Sequence, residues 1–562
     1  MIYCKQINQL VALTVLVFGT TSLVNAEEYL VKSPEAYKQT VKKLVAGDTI
    51  KLANGVWQDF EVVFTGKGTH AKPITLTAET KGGVILSGQS NLRLAGEYLV
   101  VSGLVFKNGY TPTRSVISYQ VNKTEFANNS RITEVVIDEY SNPDRFEPDY
   151  WVALYGKNNR FDHNYLAGKR NKGVTLAVRL PTEADRENNH RIDHNYFGPR
   201  PVFGSNGGET LRIGTSHYSL SDSLTVVENN YFDRCDGEVE IISVKSGKNI
   251  LRNNTFFESK GTLTLRHGNG NIVENNVFFG NGVDHTGGIR VINRDQVVRN
   301  NYMEGLTGYR FGSGFTVMNG VPNSKINLYH QVVNAKINNN SFINVDHIHL
   351  AAGSDQERSA TPQKSTMSNN VVYNENLKDA FSLFDDVSGI SFNGNVRNEV
   401  PDAKITKGFT NQPVTLVREK NGLLYPEGIE AGVGVDKSLM PMTKEQVGPI
   451  WYEKVEPVIA FDSNKITVIT AGENSIFNAI TAANSGDKLV LSPGVYHETK
   501  IVKLNKVISL MAQQPDTVTI TFARSTFVEI VNGGSLKLAD LVISGIEAPD
   551  SKSFTIPTTF RG

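Results

Sequence analysis

Val227-Glu228-Asn229-Asn230-Tyr231-Phe232 is followed by Leu251-Arg252-Asn253-Asn254-Thr255-Phe256, by Val273-Glu274-Asn275-Asn276-Val277-Phe278 and by Val298-Arg299-Asn300-Asn301-Tyr302. The second Asn of each unit, at positions 230, 254, 276 and 301, recurs after 24, 22 and 25 residues. Variants stand upstream at Phe161-Asp162-His163-Asn164-Tyr165 and Ile192-Asp193-His194-Asn195-Tyr196-Phe197, and downstream at Ile337-Asn338-Asn339-Asn340-Ser341-Phe342 and Ser368-Asn369-Asn370-Val371-Val372. A self-similar period of this size is the signature of a solenoid. Leucine-rich repeats share the period, but these units lack a leucine consensus and any 3.6-residue pattern. They are short β-branched and aromatic runs broken by Asn and Gly. The reading is therefore an all-β parallel β-helix. Asn tolerates the left-handed backbone that a tight bend needs, and its amide can hydrogen-bond to the same amide on the next coil.

A second repeat marks where solenoids begin. Ala46-Gly47-Asp48-Thr49-Ile50-Lys51-Leu52-Ala53-Asn54-Gly55-Val56-Trp57 matches Ser485-Gly486-Asp487-Lys488-Leu489-Val490-Leu491-Ser492-Pro493-Gly494-Val495-Tyr496. Each copy follows an expected amphipathic helix, over 34–44 and 475–483. The expected organisation is a β-helix over residues 27–400, a linker or cap over 401–460, where Pro and charged residues rise and the Asn-Asn text stops, and a second, smaller β-helix over 461–562. The second copy ends at Gly562 after few coils, which reads either as a truncated solenoid or as one that docks on the first.

Residues 1–26 read as a cleavable signal peptide. Lys5 precedes an apolar run from Leu10 to Phe18 and a Val24-Asn25-Ala26 ending, and the run is shorter than the roughly 20 residues a bilayer requires. A secreted or periplasmic protein is expected, with no membrane partner. Without the leader only Cys235 remains, so the fold must stand without an internal disulfide. Lys plus Arg number 57 and Asp plus Glu number 57. This balance gives no overall field to draw a polyanion, no nucleic-acid partner is expected, and any basic groove must be built locally.

One stretch departs from the structural repeat: Asp236-Gly237-Glu238-Val239-Glu240-Ile241-Ile242-Ser243-Val244-Lys245, with Thr264-Leu265-Arg266-His267 one period later. Glu238 and Glu240 are two apart, which on a strand places both carboxylates on one face. Two such charges side by side are costly unless a cation lies between them, and hard oxygen donors suit Ca²⁺. Lys245 and Arg266 are 21 residues apart and so fall on adjacent rungs, about 5 Å apart. An unbroken strand would turn Lys245 away from Glu240, so a bend or bulge near Ser243 is required.

Asn206 in Ser205-Asn206-Gly207-Gly208-Glu209, the Glu238-x-Glu240 pair, Lys245 and Arg266-His267 together resemble polysaccharide lyase family six, which contains alginate lyases and chondroitinase B. The resemblance implies a right-handed parallel β-helix that cleaves an acidic polysaccharide by β-elimination, with Ca²⁺ held by Asn206, Glu238 and Glu240, Lys245 as base and Arg266 as acid. His267 and Arg310 are further candidates for substrate contact. The two-solenoid layout is similar to the larger alginate lyases, so alginate is the expected substrate. The alternatives are dermatan sulfate and, outside catalysis, a carbohydrate-binding solenoid. Parallel β-helices also host pectin-active hydrolases; a hydrolase needs paired carboxylates flanking a glycosidic bond, and the Lys and Arg beside this pair favour elimination.

Overall fold

The computed structural model describes residues 26–454, 461–531, 534–549 and 559–561. The expected signal peptide lies outside the described residues except for Ala26. The chain divides into two compact units, Met1–Val455 and Glu456–Gly562. Among the described residues no helix is long and apolar enough to cross a membrane.

The first unit is a parallel β-helix. Three sheets of 14 strands each run its length, and successive strands of one sheet come from successive coils. Side chains at matching positions therefore stack. Phe197, Phe232, Phe256 and Phe278 form a column with centroids 4.8, 4.6 and 4.4 Å apart, close to the strand spacing itself.

The two Asn residues of each repeat have separate tasks. The first adopts the left-handed backbone of the bend, with φ of 55° at Asn229, 55° at Asn253, 58° at Asn275 and 54° at Asn300. His163 and His194 occupy the same position at 53° and 54°. The second Asn is buried and links coils: Asn254 Oδ1 accepts from the backbone N–H (3.0 Å) and Nδ2 (3.0 Å) of Asn230, and Asn276 Oδ1 accepts the same pair from Asn254. The ladder continues from Asn164 through Asn195 to Asn301, Asn340, Asn370 and Asn395.

The shared Gly-Asp motif closes the first coil of each unit. Asp48 accepts from the N–H of Glu27 (2.9 Å) and of Val45 (2.9 Å). Asp487 accepts from Lys465 (3.1 Å) and Asn484 (2.8 Å). Each carboxylate thus ties the incoming strand to the end of the preceding helix. Those helices span Pro34–Thr40 and Ser475–Ala482. The first continues as a 3₁₀ turn, Val41–Lys43. Within the second unit, parallel strands Ile466–Ile469, Lys488–Leu491, Val507–Ala512 and Ser535–Ala539 form one sheet over a separate apolar core.

After residue 400 the strand Phe409–Asn411 pairs with Asn395–Arg397 as the last strand of the third long sheet, and the segment continues from there. It contributes a hairpin, Thr415–Arg418 with Leu424–Glu427, and then runs back along the first unit as a strap. Leu423, Tyr425, Val435 and Leu439 pack on Val277, Tyr302, Ile343 and Val371. Farther along, Gly448 N–H donates to His194 O (2.7 Å) and Tyr452 Oη to Asp138 (2.7 Å).

The division of labour within each Asn pair is testable with neighbouring substitutions. Asn254→Ala removes the acceptor of two buried donors and should cost about 2–4 kcal/mol. Asn253→Ala forces only the left-handed backbone and should cost about 1–2 kcal/mol. Denaturant unfolding of the two variants checks the order; equal losses would contradict the ladder.

Candidate active site

The second of the long sheets carries every catalytic candidate. Its neighbouring strands Leu211–Gly214, Glu240–Lys245, Gly261–His267 and Thr286–Val291 pair in parallel. Arg212, Ser243, Thr264 and Arg290 stand side by side across it.

The required change of face is present near Ser243, at Ile241. The register passes from Glu240↔Thr262 to Ile242↔Leu263, so the strand carries one extra residue there. Ile242 and Val244 then point into the core, and Glu240, Ser243 and Lys245 share the outer face. Ser243 Oγ donates to Glu240 Oε2 (2.5 Å), which an unbroken strand would not allow. A second irregularity inserts a residue opposite Val244, so that Lys245 pairs with His267 and not with Arg266.

Glu240 is the electrostatic hub. Its Oε1 accepts from Arg266 (2.7 Å) and from the buried Arg290. Although burial opposes ionisation, Arg290 and Arg266 hold this carboxyl down at about 2. The same pair keeps Arg266 charged: burial works against the guanidinium, but Glu240 raises it above its ordinary value. Arg266 also lies 5.1 Å from the Tyr329 ring centroid. Lys245 is half-buried and its pKa is lowered, first by burial and then by Arg212, with Arg266 adding to the effect while Glu209 and Glu240 oppose it.

Glu238 has the opposite character. Burial, then Glu209 and Glu240, push it up to about 7, although the amides of Gly207 (2.8 Å) and Gly208 (3.0 Å) donate to it. The loops bearing these groups touch: a Cβ on Gly208 would lie 2.4 Å from the carbonyl of Gly237. Glu209 Oε2 is buried without a hydrogen-bond partner. A carboxylate destabilised by two others, beside an orphaned carboxylate oxygen, has the donor chemistry that a hard cation satisfies. Asn206 adds an amide oxygen on the same cavity wall as Glu238. Among the described residues no three acidic, His or Cys groups converge as a ready cage.

Asn206, Glu238 and Arg310 line one cavity of 520 Å³. Lys245 lines another, of 350 Å³, with Arg179, Arg212 and His217. Arg266 and Glu240 are joined by their ion pair. His267 sits beside Lys245 in register but is only 1% exposed. Burial, then Arg266 and Lys245, hold its imidazole down at about 3.

Sequence reasoning missed Glu209, Arg212 and Arg290, which lie outside the Glu-x-Glu, Lys and Arg text and reach the site only through strand register. It also missed Arg200. That buried guanidinium donates to the carbonyls of Gly173 (2.9 Å), Glu209 (2.8 Å) and Gly207 (3.3 Å) and so holds the 204–209 loop.

A family model described as Chondroitinase B matches residues 31–434. Among solved structures, the PL6 family alginate lyase AlyGC is 61% identical, with a TM-score of 0.79, over 93% of this chain and 72% of that one. A mannuronic acid specific polysaccharide family 6 lyase from human gut microbiota is 34% identical, with a TM-score of 0.63, over 69% of this chain and 91% of that one. A PL6 alginate lyase in complex with a trisaccharide is 25% identical, with a TM-score of 0.65, over 77% and 97%. None of the curated proteins compared with the chain matches it. With a family model spanning most of its length and a solved member at 61% identity, this chain belongs to the chondroitinase B family, polysaccharide lyase family six.

Proposed function

We propose that the protein is an exported lyase that cleaves alginate by calcium-assisted β-elimination, leaving an unsaturated uronate at the new chain end. The observation that carries the chemistry is Lys245, with its lowered pKa, on the strand adjacent to an Arg266 whose charge Glu240 secures. The 61% identity to a solved alginate lyase supports the substrate.

In this reading Lys245 Nζ, neutral, takes the C5 proton of a uronate. The electron pair left on C5 forms the C4–C5 double bond, the C4–O4 bond breaks, and O4 departs with the remainder of the chain. Arg266 stays protonated and stabilises the developing charge on O4, and the proton that O4 finally takes comes from water or another group. Asn206, Glu238 and Glu240 would hold Ca²⁺, whose charge offsets that of the substrate carboxylate and makes the C5 proton more acidic.

Lys245→Ala should lower turnover on the order of 10³-fold with folding and substrate binding kept, since it deletes the base. Growth of ultraviolet absorbance from the unsaturated product measures this, and near-normal rates in a folded variant would exclude Lys245. The wild-type rate should climb as pH rises through the depressed lysine value, because the base works unprotonated.

Chelation should abolish activity and added Ca²⁺ should restore it, whereas the Lys245 variant should gain nothing from the ion. Glu238→Gln is the cleaner probe of this site, because removing Glu240 also leaves Arg290 buried without its ion-pair partner, at a cost of about 3–5 kcal/mol. Calcium titration should show weakened binding in Glu238→Gln with an unchanged melting temperature for the metal-free protein.

Alginate should be turned over and dermatan sulfate should not. Comparable rates on both, or on dermatan sulfate alone, would overturn the substrate while leaving the elimination chemistry intact.

A further inference from the structure

The 520 Å³ cavity beside Glu238 has cations that the chemistry above does not use. Lys260 and Arg310 both line it, and among the described residues neither forms an ion pair within 4 Å. Their neighbours differ: Arg212, Arg266 and Arg290 are each bound to a carboxylate. Arg310 is exposed and held at a left-handed φ of 54°, with its guanidinium 5.8 Å from the Tyr309 ring centroid. The backbone of Lys260 is anchored, its N–H donating to Asp236 Oδ1 (2.9 Å), and its side chain is half-buried.

The wall that these cations share is apolar and open. Val239, Tyr309 and Phe311 are 44, 54 and 36% exposed. A platform of this kind accepts the C–H face of a sugar ring; Asp236 on the same wall attracts Lys260 without forming an ion pair with it, and two cations against that one neighbour leave positive charge for an anion. The volume falls within the range of small-ligand sites and accommodates more than one sugar. Asn206 and Glu238, which in the reading above serve the carboxylate of the sugar losing its proton, line the same cavity, so a further anion held there at Lys260 and Arg310 belongs to a neighbouring sugar.

We propose that Lys260 and Arg310 form a subsite for the carboxylate of a uronate residue neighbouring the one that Lys245 deprotonates. The inference rests on the lyase reading above and deepens it. The enzyme reads charge on a second sugar, and so prefers a continuous polyuronate to a chain in which charged and neutral residues alternate.

The test is steady-state elimination by the full chain on uronate oligomers, intact or partly carboxyl-reduced, for wild type, Lys260→Ala, Arg310→Ala and the double variant. Lys260→Met and Arg310→Gln, which keep side-chain bulk, separate charge from packing. Each loss of charge should raise KM about tenfold on intact oligomers, with a smaller fall in kcat. The double variant should lose the wild-type preference for intact over reduced oligomers, and its KM should respond less to salt. The subsite is refuted if KM stays within about twofold of wild type in both single variants, or if the double variant keeps the preference. A wild type that eliminates no uronate oligomer refutes the lyase reading itself, whereas a wild type that turns over while the variants match it refutes only the subsite.

Discussion

A buried asparagine ladder fixes everything that follows in the first unit. Within it Asn276 is typical: its oxygen accepts two N–H donors from the preceding coil while its own amide donates to a backbone carbonyl and onward to Asn301. A slip of one residue between coils would strand these groups in the core, where each unpaired donor costs about 1–3 kcal/mol. Register along the three sheets is thereby set at a corner, away from the face that carries the chemistry. The strands of the site sheet are left free to depart from regularity.

That freedom is used at Ile241. One additional residue between Glu240 and Ile242 moves Ser243 and Lys245 to the side of the sheet on which Glu240 lies. The compensating residue on the next strand shifts Arg266 relative to Lys245 and brings the buried His267 beside the base. Bulges are common where a sheet must aim a side chain. Here two of them on adjacent strands assemble a base, a cation and a carboxylate that a regular β-helix would have divided between the core and the surface.

The electrostatics of the site follow from unequal partnering. Glu240 is ionised because two arginines reach it, and Glu238 is held up because its neighbours are carboxylates. Two glutamates separated by one residue thus occupy opposite regimes, one held ionised by arginines and the other held up by burial and neighbouring carboxylates. Lys245 lies between these regimes, lowered by burial and by nearby arginines. Arg200, reaching the carbonyls of Gly207 and Glu209 just after Asn206, holds the loop that completes the donor set.

The sequence by itself determined the solenoid, because the period, the left-handed bend residue and the ladder residue are all local and recur in the same text. It also determined the two starts, since each Gly-Asp motif ties a coil to its own helix. The residues Glu238, Glu240, Lys245 and Arg266 were legible as a group because they interrupt that repeat within two coils. Tertiary structure alone decided which of them face one another. The bulge at Ile241 has no signature in residue type, and the pairing of Lys245 with His267 depends on an insertion in a different strand. Arg290 reaches Glu240 from 50 residues away, and Lys260 and Arg310 share a cavity only through the stacking of coils. The strap over residues 415–454 was likewise unreadable: its apolar residues have no period of their own, and their partners are the outward-facing side chains of coils far earlier in the chain.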